Sequence, residues 1–253
     1  MSQPSSLCHV LREDHELADA IPVDRREPAI ADCTAPELWI QPGPWAGRGS
    51  LGFRGGIGVL VLKGLMIRRV GIEGRFGAEM IGEGDLLRPN EESVSPLLPL
   101  TTEWSIVLPT RVAALDRTFE HRIAQYPELT RALVARAIQR SKNLAVNMAI
   151  VHQARVDVRL HMLLWHLAGR WGRVRRDGTV LRLRLTHTVL ADLVAARRPT
   201  VTTALSELSR RGLLSTDGEN WVLSGEAPNE LLAYAREANR RAGRTTGPSG
   251  LSD

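Results

Sequence analysis

Leu185-Thr186-His187-Thr188-Val189-Leu190-Ala191-Asp192-Leu193-Val194, then Ala195-Ala196-Arg197, then Arg198-Pro199-Thr200-Val201-Thr202-Thr203-Ala204-Leu205 is the stretch that decides the fold. Thr186 is a good helix N-cap, because its hydroxyl accepts from a backbone N–H that the first turn leaves unpaired. The helix it starts runs to Val194, with Leu190 and Leu193 facing inward. Three residues then make a turn. Arg198-Pro199-Thr200 opens a second helix, where proline loses nothing because first-turn N–H groups have no intrahelical partner. Val201, Ala204, Leu205 and Leu208 share one face of that helix and Gly212 stops it, while Thr200, Thr202, Thr203 and Ser206 lie on other faces. Two short helices joined by a tight turn, the second flanked by arginine and lined by small hydroxyls, form the helix-turn-helix pattern. A helix entering the DNA major groove needs small side chains for close approach, donors for phosphates, and an arginine able to grip guanine O6 and N7. Leu213 to Leu223 then reads as strand, turn, strand, which makes a wing.

The charge follows the same segment. The chain of 253 residues has a formal charge of +5, yet Val156 to Arg211 alone holds eleven arginines against four acids, a net of +7. The remainder is therefore slightly acidic. Of the 33 basic residues 31 are arginine, a preference that GC-rich coding explains, but such bias does not place the excess in one segment. A basic segment on a near-neutral body is the electrostatic footprint of a phosphate-backbone binder. Membrane spans, which need about 20 apolar residues, are not expected, nor is a signal peptide, since the first 30 residues are rich in acids. Two cysteines, Cys8 and Cys33, are too few for a disulfide framework or a four-thiolate cluster. A cytoplasmic protein with no membrane contact is the expectation.

Working outward, the first 35 residues are polar and acid-rich, with Pro4, Pro22 and Pro28 inside them and Pro36 just beyond. They predict an irregular arm with one helical turn near His9 to Asp19. Residues 36–126 change to short apolar runs separated by Gly and Pro: Gly56 to Gly64, Leu65 to Val70, Trp104 to Leu108 and Arg111 to Leu115. Such spacing predicts short strands, here a small β-roll with tight glycine turns at Gly71, Gly74, Gly77, Gly82 and Gly84. Residues 127–156 carry no internal Pro or Gly beyond Pro127, which predicts one long helix of about 42 Å. Leu129, Leu133, Ala137, Leu144, Met148 and Val151 recur on one face of it, and a stripe longer than a small roll can cover implies pairing with a second copy. Arg140 and Asn147 interrupt a strict heptad. A second helix, Leu160 to Trp171, precedes a hairpin at Asp177-Gly178 and a strand in which Leu181, Leu183 and Leu185 alternate with Arg182 and Arg184. Residues 157–226 are thus the winged helix-turn-helix, and 227–253 a C-terminal helix and flexible tail.

The stretch from Leu185 to Leu205, with Arg211-Gly212-Leu213-Leu214, resembles the winged helix-turn-helix of the Crp/Fnr family of bacterial transcription regulators. Ile81-Gly82-Glu83-Gly84-Asp85-Leu86-Leu87 is similar, more weakly, to the Gly-Asp turn of that family's sensor roll. The resemblance implies an α+β chain: a cyclic-nucleotide-binding-like β-roll, a long dimerisation helix and a DNA reader, in the order already read from the residues. It implies a homodimer through 127–156 on a palindromic double-stranded DNA operator, with RNA polymerase as a candidate further partner. Arg198 aligns with the family's guanine-reading arginine, and Thr200, Thr202 and Thr203 occupy groove-facing positions. Thr186, His187 and Arg197 are candidate phosphate contacts beside them. Pro199 stands where many members have Glu, so the preferred operator differs.

The sensor half departs further. Gly84-Asp85-Leu86-Leu87-Arg88-Pro89 leads into Asn90 to Ser93 with no Arg-Ser or Arg-Thr pair before Trp104, which counts against cyclic AMP. The gap from His15 to His121 leaves no axial histidine for haem and no histidine cluster for a cupin metal centre. His161 and His166, at i and i+5 around Trp165, are off one face and suit packing rather than a metal. No cofactor is expected, and the ligand is unknown. A sensor that has lost its ligand and serves only to dimerise the reader fits equally. The rival from another class, a β-roll small-molecule binder or enzyme with an accessory helical domain, lacks a nucleophile–base set and a phosphate loop, so no enzyme is expected.

Overall fold

The two apolar runs on either side of Gly64 are one strand. In this computed structural model the described residues are 6–45, 55–72, 75–88, 100–176, 178–183, 185–218, 220–228 and 231. They divide into two compact units, 1–148 and 149–253. The first contains β1 (Leu7–His9), α1 (Val10–Glu13), α2 (His15–Asp19), α3 (Val23–Asp32), β2 (Thr34–Ile40), β3 (Gly43–Trp45), β4 (Gly58–Ile72), β5 (Arg75–Gly82), β6 (Leu86–Leu87), β7 (Thr101–Leu115), α4 (Arg117–Ile123) and most of α5 (Pro127–Val151). The strands pair antiparallel in the order β1-β2-β7-β4-β5, with β3 also on β7 and β6 on β4. A mixed helix-and-sheet fold is thus as expected.

The expected short strands are corrected: β4 and β7 are 15 residues each. Register shifts between Val61 and Met66 bend β4. Gly64 sits there at φ +105, where a Cβ would stand 2.5 Å from the Thr110 Cα. Glycine marks a bulge within a strand here, not its end. The interior face buries Ile40, Val59, Val61, Met66, Ile81, Ile106 and Val112 with Trp45 and Trp104.

The irregular arm is also corrected. Val10, Leu11, Leu17, Ile21, Ala29 and Cys33 are buried in one cluster with Leu115, Phe119, Leu129 and Leu133. Pro22 caps α3 and Pro36 lies opposite Leu7 at the sheet's edge, positions that spare the ladder. The acids of this segment are paired: Glu13 with Arg111, which also meets Glu37 on β2, Asp14 with Arg136, and Asp19 with Arg26. Burial raises both thiols, Cys8 to about 11 and Cys33 to about 12, so neither is a ready thiolate.

The long helix ends at Val151, not near 156, and its phase differs from the expected stripe. Leu129 and Leu133 are buried in their own unit, but Val134, Ile138 and Met148 are more than half exposed. Arg140 and Asn147 face the sheet: Arg140 takes the Glu79 carboxylate at 2.6 and 2.8 Å, and Asn147 donates to the Ala78 carbonyl. They interrupt the buried face rather than the exposed one.

The second unit holds α6 (Val156–Trp171), β8 (Gly172–Arg175), β9 (Gly178–Leu181), α7 (His187–Leu193), α8 (Arg198–Arg210), β10 (Leu214–Asp217) and β11 (Asn220–Leu223). Its sheet is ordered β10-β11-β9-β8, so the expected wing pairs onto the preceding hairpin. The strand expected through Leu185 stops at Leu181, where the Leu185 N–H turns back to the Leu183 carbonyl. Leu183 and Leu185 stay buried all the same. Asp177, Arg184 and nearly all of 227–253 lie outside the described residues, as do residues 89–99 after the Gly-Asp turn. Among the described residues no helix is long and apolar enough to cross a membrane.

Candidate nucleic-acid interface

Two helices and one turn build the candidate interface. Thr186 caps α7 as its sequence implies, accepting the Val189 N–H at 3.3 Å. Leu190, Leu193, Val201, Ala204, Leu205 and Leu208 are all buried, which fixes the inward faces of both helices. Arg197, Arg198, Thr200, Thr202, Thr203 and Ser206 are consequently exposed. Pro199 lies in the first turn of α8, and Gly212 at φ +69 ends it.

The hydroxyls are not equivalent. Thr202 and Thr203 donate to the Arg198 and Pro199 carbonyls, and Ser206 donates to the Thr202 carbonyl, each four residues back. Their remaining lone pairs and methyls face outward, a small and flat surface suited to close approach. Thr202 additionally meets the His187 ring at 2.9 Å, tying α7 to α8. That contact gives His187 an internal role beyond the phosphate contact expected of it. On the helical projection Pro199, Thr203, Ser206 and Arg210 lie opposite the buried stripe, with Thr200 and Thr202 on either flank. No hydrogen bond or ion pair among the described residues engages the Arg197 or Arg198 guanidinium. Arg210, by contrast, is held by Glu207 at 2.8 Å.

Sequence reasoning missed the residues that hold this surface in place. Arg159 on α6 donates to the Val194 and Ala195 carbonyls in the turn, and to Gln153 at 2.6 Å where α5 gives way to α6. Asp157 receives two bonds from Arg155 at 3.0 and 2.7 Å and lies 3.5 Å from Arg211 at the end of α8. Both were visible only as members of an arginine-rich segment. Nothing in their spacing identifies their distant partners, Val194 and Ala195 for Arg159 and Arg211 for Asp157.

Burial pushes the Asp157 carboxyl up, but the Arg155 bonds and the neighbouring backbone N–H groups outweigh it and hold the group below its ordinary value. Its contribution to stability is therefore complete above the unfolded carboxylate value of about 3.9 and is lost as pH falls through the lower folded value. Asp157→Asn should melt earlier than the native chain at neutral pH, with the difference closing in acid. Thermal melts followed by circular dichroism across that range check this, and a gap that persists in acid would contradict it.

Ala195, in the turn, has φ +50 and is exposed. An L-residue there costs about 1–2 kcal/mol, while glycine forfeits part of that gain in the unfolded chain. Ala195→Gly should stabilise by about 0.5–1 kcal/mol, since Ala195 is exposed and little packing is lost. Chemical denaturation with an unchanged slope is the check.

Comparison with known proteins is consistent with this geometry. Residues 158–227 match the family model of the Crp-like helix-turn-helix domain. Over 153 residues the chain is 29% identical to the CRP-like cAMP-activated global transcriptional regulators of two Mycobacterium tuberculosis strains, CDC 1551 / Oshkosh and H37Rv. That match covers 58% of this chain and 62% of theirs, so less than two thirds of the relatives' length is spanned. Among solved structures, a cyclic nucleotide-binding domain containing protein from Listeria monocytogenes EGD-e aligns with a TM-score of 0.60 at 13% identity, over 83% of this chain and 96% of that one. A CooA variant from Carboxydothermus hydrogenoformans gives 0.59 at 15%, over 92% and 98%. A CRP-family transcriptional regulator from Thermus thermophilus gives 0.53 at 19%, over 80% and 96%. The chain thus shares the fold of these solved structures, and its residues 158–227 match the Crp-like helix-turn-helix domain.

Proposed function

We propose that the protein is a homodimeric, sequence-specific DNA-binding transcription regulator, with α8 as the helix that enters the major groove. The observation that carries this is the outer surface of α8. Small hydroxyl residues whose protons are already used face outward beside two arginines that no hydrogen bond or ion pair engages among the described residues. Arg198 reads a base, Thr200 and Thr203 line the approach, and Thr202 and His187 set the angle between the helices. Arg197 and Thr186 contact phosphate. Dimerisation runs through α5, and its two readers meet half-sites about 34 Å apart on a palindromic operator. RNA polymerase is the partner such a regulator recruits or blocks. The first unit is a sensor whose ligand differs from cyclic AMP. Arg88, the arginine after the Gly-Asp turn, is occupied instead in binding the Gly56 and Ile57 carbonyls at 2.7 and 2.9 Å.

Selection of the purified chain against a random duplex library, repeated across salt, tests the proposal. An enriched palindrome is expected. Binding with a steep salt slope and no enriched sequence would reduce the surface to a non-specific phosphate binder.

A further inference from the structure

Between Leu133 and Ile150 no residue of α5 is buried. Over that length polar contacts tie the helix to its unit: Arg136 on the N-terminal helices, Arg140 on the Glu79 carboxylate, Asn147 on the Ala78 carbonyl. Spacings of four and seven put these three on one side of the helix, and Val134, Ile138 and Ala145 lie across from them. Apolar burial has no direction of its own, whereas a guanidinium fork on a carboxylate fixes one. The way the exposed apolar line of α5 points is therefore set by its polar anchors.

Arg136 is the anchor that reaches beyond the sheet. Its Nη1 and Nη2 donate to the two carboxylate oxygens of Asp14, the second at 2.7 Å. Nη1 also lies 3.3 Å from the Gly84 carbonyl, and Nη2 3.2 Å from Glu16. One side chain thus joins α5 to the α1–α2 junction and to the Gly-Asp turn. Both platforms are held firmly. Asp14 ends α1, with its N–H on the Val10 carbonyl, and caps α2 by accepting the Leu17 N–H at 3.1 Å. Val10, Leu11 and Leu17 around it are at most 1% exposed. The turn is strapped to β4, where the Gly84 N–H meets the Val61 carbonyl and the Val61 N–H meets the Asp85 carbonyl, at 2.8 and 2.9 Å. The Arg136 and Asp14 side chains are 15% and 11% exposed, so water competes little for their contact. Glu16, 92% exposed, adds little.

We propose that Arg136 is a positioning residue for dimerisation, through which the N-terminal helices set the rotation of α5 and so the direction of its Val134, Ile138 and Met148 side chains. The proposal rests on the homodimer assigned above and adds what orients its interface. The N-terminal helices pack on Leu129 and Leu133 at the start of α5, and Arg136 carries that attachment onward to the level of Val134 and Ile138. Arg140 is not equivalent, since its partners Glu79 and Leu86 belong to the strands β5 and β6. Loss of the Arg136 fork leaves the apolar start of α5 and the Arg140 and Asn147 anchors in place. The unit then folds, but its exposed line is no longer held in one orientation for a second copy.

Sedimentation equilibrium of the full chain, well below its melting temperature, tests this. Arg136→Gln and Asp14→Asn should each raise the dimer dissociation constant about tenfold or more. Asparagine still caps a helix, so Asp14→Asn removes the charge, spares α2 and remains informative if the arginine variant folds poorly. The double variant should pair no worse than the weaker single one, because both changes break one contact. Asp19→Asn, at an exposed acid of the same helices that pairs with Arg26, should leave the constant unchanged. Variants that melt earlier yet pair as the native chain does reduce Arg136 to a structural role and overturn the proposal. So do single changes whose effects add in the double variant. Ile138→Glu, run beside them, separates the two readings. If it alone dissociates the dimer, the homodimer stands and the positioning role falls, and a monomeric native chain overturns both.

Discussion

Ile138→Glu should leave the protein monomeric and lower its operator affinity by about a hundredfold or more. Val134, Ile138 and Met148 are 53%, 52% and 63% exposed on α5, with Ser141 and Ala145 between them. The spacing of four, three, four and three is that of an a/d seam, and the small residues at its middle permit close helix approach. The opposite face of α5 is committed to its own unit through Leu129, Leu133, Arg136 and Arg140. The seam is exposed on its own unit, where a second copy can pair with it. A glutamate at Ile138 would place two like charges across an apolar interface and deprive each reader of its linked partner, so the second half-site would no longer bind at raised effective concentration. Because Ile138 faces solvent in the single chain, the melting temperature of the monomer should shift little. Sedimentation equilibrium together with operator titration checks both parts. A variant that stays dimeric would move the interface off this seam.

How much of this was legible in sequence depends on whether the governing contacts are local. The reader was legible almost residue by residue, since Thr186 as cap, Pro199 in the first turn and Gly212 as stop each act within a few residues. The length of α5 was nearly so. Its phase was not, because whether Arg136 and Arg140 turn inward is decided by Asp14 and Glu79, more than 60 positions away. Of the expected stripe of Leu129, Leu133, Ala137, Leu144, Met148 and Val151, Leu129 and Leu133 are therefore buried in their own unit and Met148 alone falls on the exposed seam. The first 35 residues misled for the same reason: their acids looked solvated until the arginines that pair with them were placed. Gly64 misled differently, since glycine that relieves a close approach inside a strand has the same sequence signature as glycine in a turn.

Arg198→Ala should cost about 1–3 kcal/mol, or roughly 5- to 150-fold, on the selected operator. It should also relax preference at one base pair in each half-site. Arg198 is the first residue of α8, exposed and without a side-chain partner among the described residues, so its removal leaves their hydrogen bonds in place. The guanidinium fork can meet guanine O6 and N7 together, and a lysine cannot reproduce that geometry. Arg198→Lys should therefore recover affinity for scrambled DNA but not discrimination. Arg197, just outside the helix as its N-cap residue, provides the contrast. Arg197→Ala should weaken all sequences alike and reduce the salt slope by about one, as expected for one lost phosphate contact. Titrations of cognate and single-base variant duplexes at several salt concentrations separate the two behaviours. If Arg198→Ala weakened cognate and scrambled DNA equally, its role would reduce to phosphate, and base reading would have to come from Thr203 and Ser206 on the outward line of α8.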